Sequence, residues 1–186
     1  MIKRRQFIAG LGSAAAWPLA ARAQQGDRVR RIGVLMGLDE NDPDANLRLS
    51  AFMRAFANLG WTDGRNVRMD LRWGRGDNNR IRALAQELVG LQPDIILTEG
   101  RLATASLQRE TRTIPIVFAT VSDPVASGFV ERLDRPSGNI TGFANLEASM
   151  GGKWLELLSE IAPGLKRAAI IFNPDLFPRV VIYAIF

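Results

Sequence analysis

The side chains that most often carry covalent or acid–base catalysis are missing from this sequence: its 186 residues include no cysteine and no histidine. Thiol nucleophiles, disulfides, imidazole bases and nearly all zinc coordination are thereby excluded. Phosphate-binding loops are missing as well. No Gly-x-Gly-x-x-Gly follows the first apolar run, and no Gly-Lys-Ser/Thr closes a phosphate loop. Carboxylates such as Glu147 and Glu156 read as solvated charges on a helix face rather than as a hydrolytic acid and base. The expectation is a protein that is not an enzyme and has no cofactor and no metal.

A formal charge of +5 invites comparison with nucleic-acid binders. However, Lys3, Arg4, Arg5 and Arg22 lie within the first 23 residues, where no acid occurs, so the remainder carries about +1. The other arginines are interspersed with acids, as in Arg80, Arg82 and Glu87. No basic stripe with a groove-reading element results, and no nucleic-acid partner is expected. Apolar residues make up 47% and charged residues 23% of the chain, a composition that supports a packed core.

Several α/β elements must position whatever site exists. Arg31–Met36 is a short apolar, β-branched run of the kind buried on both sheet faces. A helix follows, with Asp44 at its start or in its first turn, Leu47, Phe52, Phe56 and Leu59 at helical spacing, and Gly60 at its end. Residues 66–73 alternate as a second strand, and Asp77 opens a helix carrying Ile81, Leu84, Ala85, Leu88 and Leu91. Residues 94–98 form a third strand, 102–108 a short helix and 114–118 a fourth strand.

This alternation implies right-handed crossovers and a doubly wound parallel α/β sheet. Ligands of such sheets collect beyond the carboxyl ends of the strands, here in the loops starting at Gly37, Gly74, Glu99 and Ala119. A further helix is expected through Phe129 and Leu133, then a strand at 140–143. A helix at 150–161 presents Trp154, Leu157, Leu158 and Ile161, and a strand follows at 168–172. Trp61, Trp73 and Trp154 read as core residues.

Residues 1–25 have the layout of an export signal: the basic head Lys3-Arg4-Arg5, an apolar stretch from Phe7 to Ala20, and the small-residue site Ala21-Arg22-Ala23. The run Arg4-Arg5-Gln6-Phe7-Ile8 resembles a twin-arginine signal. Interrupted by Gly10, Gly12 and Pro18, the apolar stretch is shorter than the about 20 residues of a membrane span. Cleavage after Ala23 and a periplasmic location are expected.

The order and spacing of Ile32-Gly33-Val34-Leu35, Leu59-Gly60-Trp61, Asp63-Gly64-Arg65-Asn66-Val67 and Ile114-Pro115-Ile116-Val117-Phe118 resemble the ABC-transporter substrate-binding proteins that include tryptophan and tyrosine binders. The resemblance continues in Ser122-Asp123-Pro124-Val125, Gly138-Asn139-Ile140-Thr141-Gly142, Lys153 to Leu158 and Phe172-Asn173-Pro174. It implies a type I periplasmic-binding fold with two lobes closing on a small molecule, such as an amino acid, and delivery of that ligand to an ABC permease of the inner membrane, with the binding protein a monomer. The lobes are expected at residues 24–142 and, incompletely, at 143–186. The family pattern would continue through further α/β units, so a truncated chain is expected, one whose first lobe folds but holds ligand weakly. The uncharged, β-prone stretch Val180–Phe186 reads as an aggregation hazard.

The same resemblance places ligand contacts at Gly37, Gly100, Arg101, Leu102, Ala103, Ser122, Asp123, Thr141 and Gly142. A helix starting near Leu102 would turn N–H groups toward a carboxylate. Asp123 could meet an ammonium group, or could serve as a turn residue before Pro124. Gly100 equally suits a strand-to-helix turn. Arg101 departs from the family, in which a small hydroxyl residue usually follows the glycine; it could grip a carboxylate or fill the pocket. The alternatives are an extracytoplasmic sensor domain and, further off, an α/β enzyme.

Overall fold

The computed structural model describes residues 28–146, 150–169 and 171. The proposed export signal and Val180–Phe186 lie outside the described residues. The elements are β1 (Arg30–Met36), α1 (Pro43–Asn58), β2 (Val67–Trp73), α2 (Asn78–Gly90), β3 (Ile95–Glu99), α3 (Arg101–Glu110), β4 (Ile116–Ser122), β5 (Ile140–Leu146) and α4 (Met150–Ile161). The sheet order is β2-β1-β3-β4-β5, and every pairing is parallel.

Period-two alternation along β1 sends Leu35 to one face of the sheet and Ile32, Val34 and Met36 to the other. The first face packs on α2 and α3 through Ile81, Ala85, Leu88, Ala103 and Leu107, together with Ile96, Ile116 and Phe118 of the central strands. Each large aliphatic or aromatic side chain buried there contributes about 1.5–3 kcal/mol. The second face is covered by α1 through Ala45, Leu49 and Phe56. This two-sided packing is the doubly wound arrangement that the alternating pattern implies.

Local chemistry sets where the helices start. Asp42 is the N-cap of α1, its carboxylate accepting from the Ala45 N–H at 2.9 Å, with Pro43 in the first turn. Asp44 sits in that turn and is not the cap. Asp77 caps α2 by accepting from the N–H groups of Asn79 and Arg80, both at 2.8 Å. At the amino edge of the sheet, the Arg31 guanidinium donates to Asp70 at 2.6 Å and to the Leu91 carbonyl at 3.2 Å, while its backbone N–H donates to Asp94 at 2.8 Å. This tie joins β1, β2 and the turn before β3.

Several expectations need correction. Residues 124–133 form turns rather than a helix. Asp123 caps that turn and Gly128 reverses it at φ 71, so no helix propagates. The strand expected at 114–118 is displaced to 116–122, and the one expected to stop at Phe143 continues to Leu146, past the lobe boundary drawn after Gly142. Leu47 of α1 and Leu59 at its C-cap are exposed.

The remaining differences concern apolar residues outside the sheet. Trp61 is not core; it stacks on Phe56 at a centroid distance of 5.7 Å and stays partly exposed. Trp73 is half-buried, and Trp154 is exposed. On α4 the apolar stripe of Trp154, Leu157, Leu158 and Ile161 forms as the spacing predicts, yet it faces solvent, with Ile161 81% exposed. Ala168, Ala169 and Ile171 lie in no strand and are exposed; Ile170 and Phe172 are outside the described residues. A run of apolar residues becomes a buried strand only where a neighbouring strand takes its N–H and C=O groups, and no described strand is placed to do so.

Candidate functional site

The chain leaves β1 toward β2 on one side and comes back to β3 on the other, so the loops after β1 and β3 diverge and open a crevice at the carboxyl edge. A cavity of about 510 Å³ occupies it. Its walls are Gly37 and Leu38 after β1, Glu99 and Gly100 at the tip of β3, Thr120 and Ser122 of β4, and Asn145 of β5. Helices complete it: Arg48 of α1, Gly76, Asn78 and Ile81 at the start of α2, and Arg101, Leu102 and Ala103 at the start of α3.

The rim is held by backbone bonds between loops. Gly74 N–H donates to Met36 O at 2.8 Å, Arg75 N–H to Leu38 O at 3.1 Å and Gly76 N–H to Gly37 O at 2.9 Å, which zips the β1–α1 loop to the β2–α2 loop. Arg75 adds ion pairs to Asp39, at 3.6 Å, and Glu40. The Asn41 backbone N–H, with smaller help from the Asn41 side chain and Arg75, holds the Asp39 carboxyl below its usual range against the opposing effect of desolvation.

Gly100 joins β3 to α3 at φ 80 and ψ 162, a region that L side chains rarely enter, while the space around it is open. Its N–H donates to Ala119 O at 3.0 Å, and its carbonyl accepts from the Thr104 backbone and hydroxyl. No side chain caps α3, so the N–H groups of its first turn border the cavity without an intrachain acceptor from a cap residue. Thr120 of β4 has φ 52 and Asp123, just past its end, φ 43, in and next to the irregular part of the β4–β5 register. Strained backbone of this kind concentrates where structure positions a site.

Glu99 is the charged residue at the cavity wall that is most removed from water, 6% exposed. Its Oε1 pairs with Arg48 Nε at 2.6 Å; the Thr120 hydroxyl lies 3.4 Å from it and has a nearer acceptor in Ala119 O at 2.8 Å. Its Oε2 is buried and has no hydrogen-bond partner among the described residues. The Ser122 hydroxyl, in turn, donates to Asn145 Oδ1 at 3.1 Å, joining the tips of β4 and β5.

Of the positions expected from sequence, Gly37, Gly100, Arg101, Leu102, Ala103 and Ser122 meet at this cavity. Asp123, Thr141 and Gly142 do not line it. Asp123 lies at the same edge, but its carboxylate accepts from the Ala126 N–H at 2.9 Å, the turn role. Thr141 and Gly142 pair with Val117 and Phe118 in the body of the sheet, because β5 is longer than its pattern suggests; Asn145 occupies the tip in their place. Arg48, Thr120 and Asn145 were not expected at the site, and Glu99 was expected only as the start of a site loop, not as a ligand contact. One signal could have found Glu99: an acid directly ending the buried strand Ile95–Thr98 needs a partner or a purpose.

Among the described residues no helix is long and apolar enough to cross a membrane. A family model described as ABC transporter substrate binding protein matches residues 32–181. A curated relative, a tyrosine-binding protein of Clostridioides difficile (strain R20291), is 28% identical over 131 residues, covering 70% of this chain and 37% of its own length. A conserved domain protein of Vibrio cholerae superposes with a TM-score of 0.74 at 26% identity, over 84% of this chain and 51% of that one. An ABC domain from Streptococcus pneumonia in complex with L-Trp superposes with a TM-score of 0.66 at 24% identity, over 75% and 45%, a likeness of fold. The chain thus spans 37% of the curated relative and about half of each of these solved structures.

Proposed function

The chain belongs to the ABC transporter substrate-binding protein family, whose members bind substrates rather than convert them, and from that premise we propose that it supplies the ligand-facing α/β lobe of an exported solute receptor. The ligand is a small molecule with both charged and apolar parts, an amino acid on the model of the tyrosine-binding relative. The receptor works outside the cytoplasmic membrane and passes its ligand to an ABC permease.

The observation that carries this reading is the 510 Å³ cavity at the switch point, lined by the starts of two helices and the tips of four strands. The cavity mixes apolar wall from Leu38, Ile81 and Leu102 with Arg48, Glu99 and the first turn of α3. Such a mixture suits a zwitterion attached to an apolar body: a carboxylate at the N-terminus of α3 or on an arginine, and a side chain against the apolar wall. In a two-lobed receptor the opposite wall would come from a second lobe, whose closure would commit the ligand.

The test is a titration of the isotopically labelled chain with L-tyrosine, L-tryptophan and L-leucine, read by backbone amide shifts. Contacts from one lobe should give a Kd of about 1 mM or weaker, near −4 kcal/mol. The shifts should gather at Gly37, Gly100 to Ala103, Ser122 and Asn145. Shifts confined to the amino edge of the sheet, around Asn66 and Pro93, would remove the support for this site.

A further inference from the structure

The two edges of the sheet are not alike. β2, at one edge, carries Arg68, Asp70 and Arg72 at alternate positions, with Arg31 and Glu87 completing ion pairs to them. Charges of this kind keep another strand from pairing with an edge. β5, at the other edge, reads Ile-Thr-Gly-Phe-Ala-Asn-Leu, seven residues with neither a charge nor a proline. Its pairing with β4 is regular from Ile140 to Gly142, and the register irregularities that discourage an added strand come only later, at Ala144 and Leu146. An edge strand leaves a row of N–H and C=O groups on its outer side, and among the described residues no strand takes them.

The sheet face beside this edge is also bare. Phe118 and Ile140 pack in the cluster with α2 and α3, so alternation turns Val117, Thr141 and Phe143 toward the α1 side. The cluster on that side extends from β2 across β1 only as far as Ile95 and Leu97 of β3. Val117 is partly buried, Thr141 is exposed and Phe143 is 74% exposed. α4 starts four residues after Leu146, hence within about 14 Å of the end of the strand, and it brings a second set of exposed apolar side chains, Trp154, Leu157, Leu158 and Ile161.

We propose that the β5 edge is a docking surface for a second copy of this chain, the two β5 strands pairing antiparallel about a two-fold axis perpendicular to the sheet. The strand is self-complementary in this arrangement. It offers its mate the same uncharged row of backbone groups, and it sets the two Phe143 rings as cross-strand neighbours on one face, an aromatic pair that favours the ladder. The area suffices as well. A large side chain presents about 150–250 Å² when fully open, so Phe143 and the four α4 residues at their observed exposures offer roughly 500 Å² of apolar surface per copy. Covering both sets removes about 1,000 Å², and the strand backbones add to it, which reaches the size of a small specific interface. A dimer departs from the monomer that the family resemblance implies, and it holds whether or not the cavity takes a ligand.

The test is sedimentation velocity on the chain over about 1–500 µM, beside Phe143→Lys and Leu59→Lys. The wild type should move from the monomer toward twice its mass with a Kd of about 10–100 µM, as suits a small reversible interface. Phe143→Lys puts like charges on adjoining strands and should weaken association about tenfold or more. Its side chain is exposed, so the thermal midpoint of the dilute variant should not move. Leu59→Lys alters an equally exposed apolar residue at the C-cap of α1 and should leave association unchanged.

A chain that stays monomeric throughout overturns the proposal, whatever covers the edge. Association that a folded Phe143→Lys leaves intact overturns it too, and loss of that association in Ile182→Lys would move the contact to the uncharged run Val180–Phe186. Should Phe143→Lys fold poorly, amide hydrogen exchange in the wild type decides: protection of Ile140–Phe143 that rises with protein concentration supports the dimer, and protection independent of concentration overturns it.

Discussion

Replacing Gly142 by alanine isolates one steric requirement of the fold. Gly142 pairs with Phe118 across the β4–β5 ladder, and its φ is not in the left-handed region, so an alanine backbone is permitted there. The added Cβ, however, would lie 2.1 Å from Phe118 O and 2.6 Å from Phe118 Cδ2 and Cγ, where real contacts essentially never fall below 3.0 Å. Neither obstacle can yield cheaply. The carbonyl belongs to a strand backbone, and the Phe118 ring is buried at 1% exposure and packs on Phe129 at a centroid distance of 6.3 Å.

Relief requires β5 to lift from β4 or Phe118 to leave its pocket. Overpacking of this kind costs about 1–3 kcal/mol, and partial loss of a buried phenylalanine raises the figure toward the top of that range. Gly142→Ala should therefore destabilise by about 3 kcal/mol, lowering Tm by roughly 10 °C in a domain of this size. Gly90→Ala is the control. Its Cβ would meet nothing within 4 Å at the end of α2, and alanine there should be neutral or stabilise by about 0.5 kcal/mol. Thermal and urea unfolding followed by circular dichroism measure both. A Gly142→Ala chain within about 0.5 kcal/mol of wild type would refute the steric account.

Two further outcomes are expected. Asp77→Ala removes the acceptor for the Asn79 and Arg80 N–H groups and should cost about 1 kcal/mol in urea unfolding, with Asp77→Asn nearly neutral. The Arg31 side-chain bond holds the Asp70 carboxyl below its usual range, against the cost of burial. A depressed folded pKa stabilises above the unfolded value of about 4, and that stability is lost as pH falls toward the folded value. The urea midpoint of the wild type should therefore fall on acidification below about pH 4, and Asp70→Asn should be less stable at pH 7 with a shallower acid limb. An acid limb identical in both would assign the effect elsewhere, as to Asp94, whose carboxyl is also held low, first by the Arg31 backbone N–H.

The alternation of apolar runs and amphipathic stretches was enough to read the class of fold, because a parallel sheet covered on both faces needs continuous apolar strands and one-sided helices, and both patterns are local. The lengths of the strands were not legible. Ile116–Ser122 continues as a strand past Phe118 because β3 pairs with Ala119 and β5 with Val121 and Ser122, information that resides in those other segments. The misplacement of Thr141 and Gly142 has the same origin: they sit mid-strand, and Gly142 is there to let Phe118 approach.

The cavity divides along the same line. Gly37, Gly100 and the start of α3 could be named from sequence because each marks a strand end or a helix start. Arg48 and Glu99 lie far apart in the chain, one on an exposed helix and one on a buried strand, and their ion pair at 2.6 Å exists only once α1 has crossed the sheet. Sequence by itself determined the doubly wound class and the neighbourhood of the site, since periodicity and turn chemistry act over a few residues. Tertiary structure alone decided which charged groups meet there, because that depends on contacts between distant segments that no local pattern records.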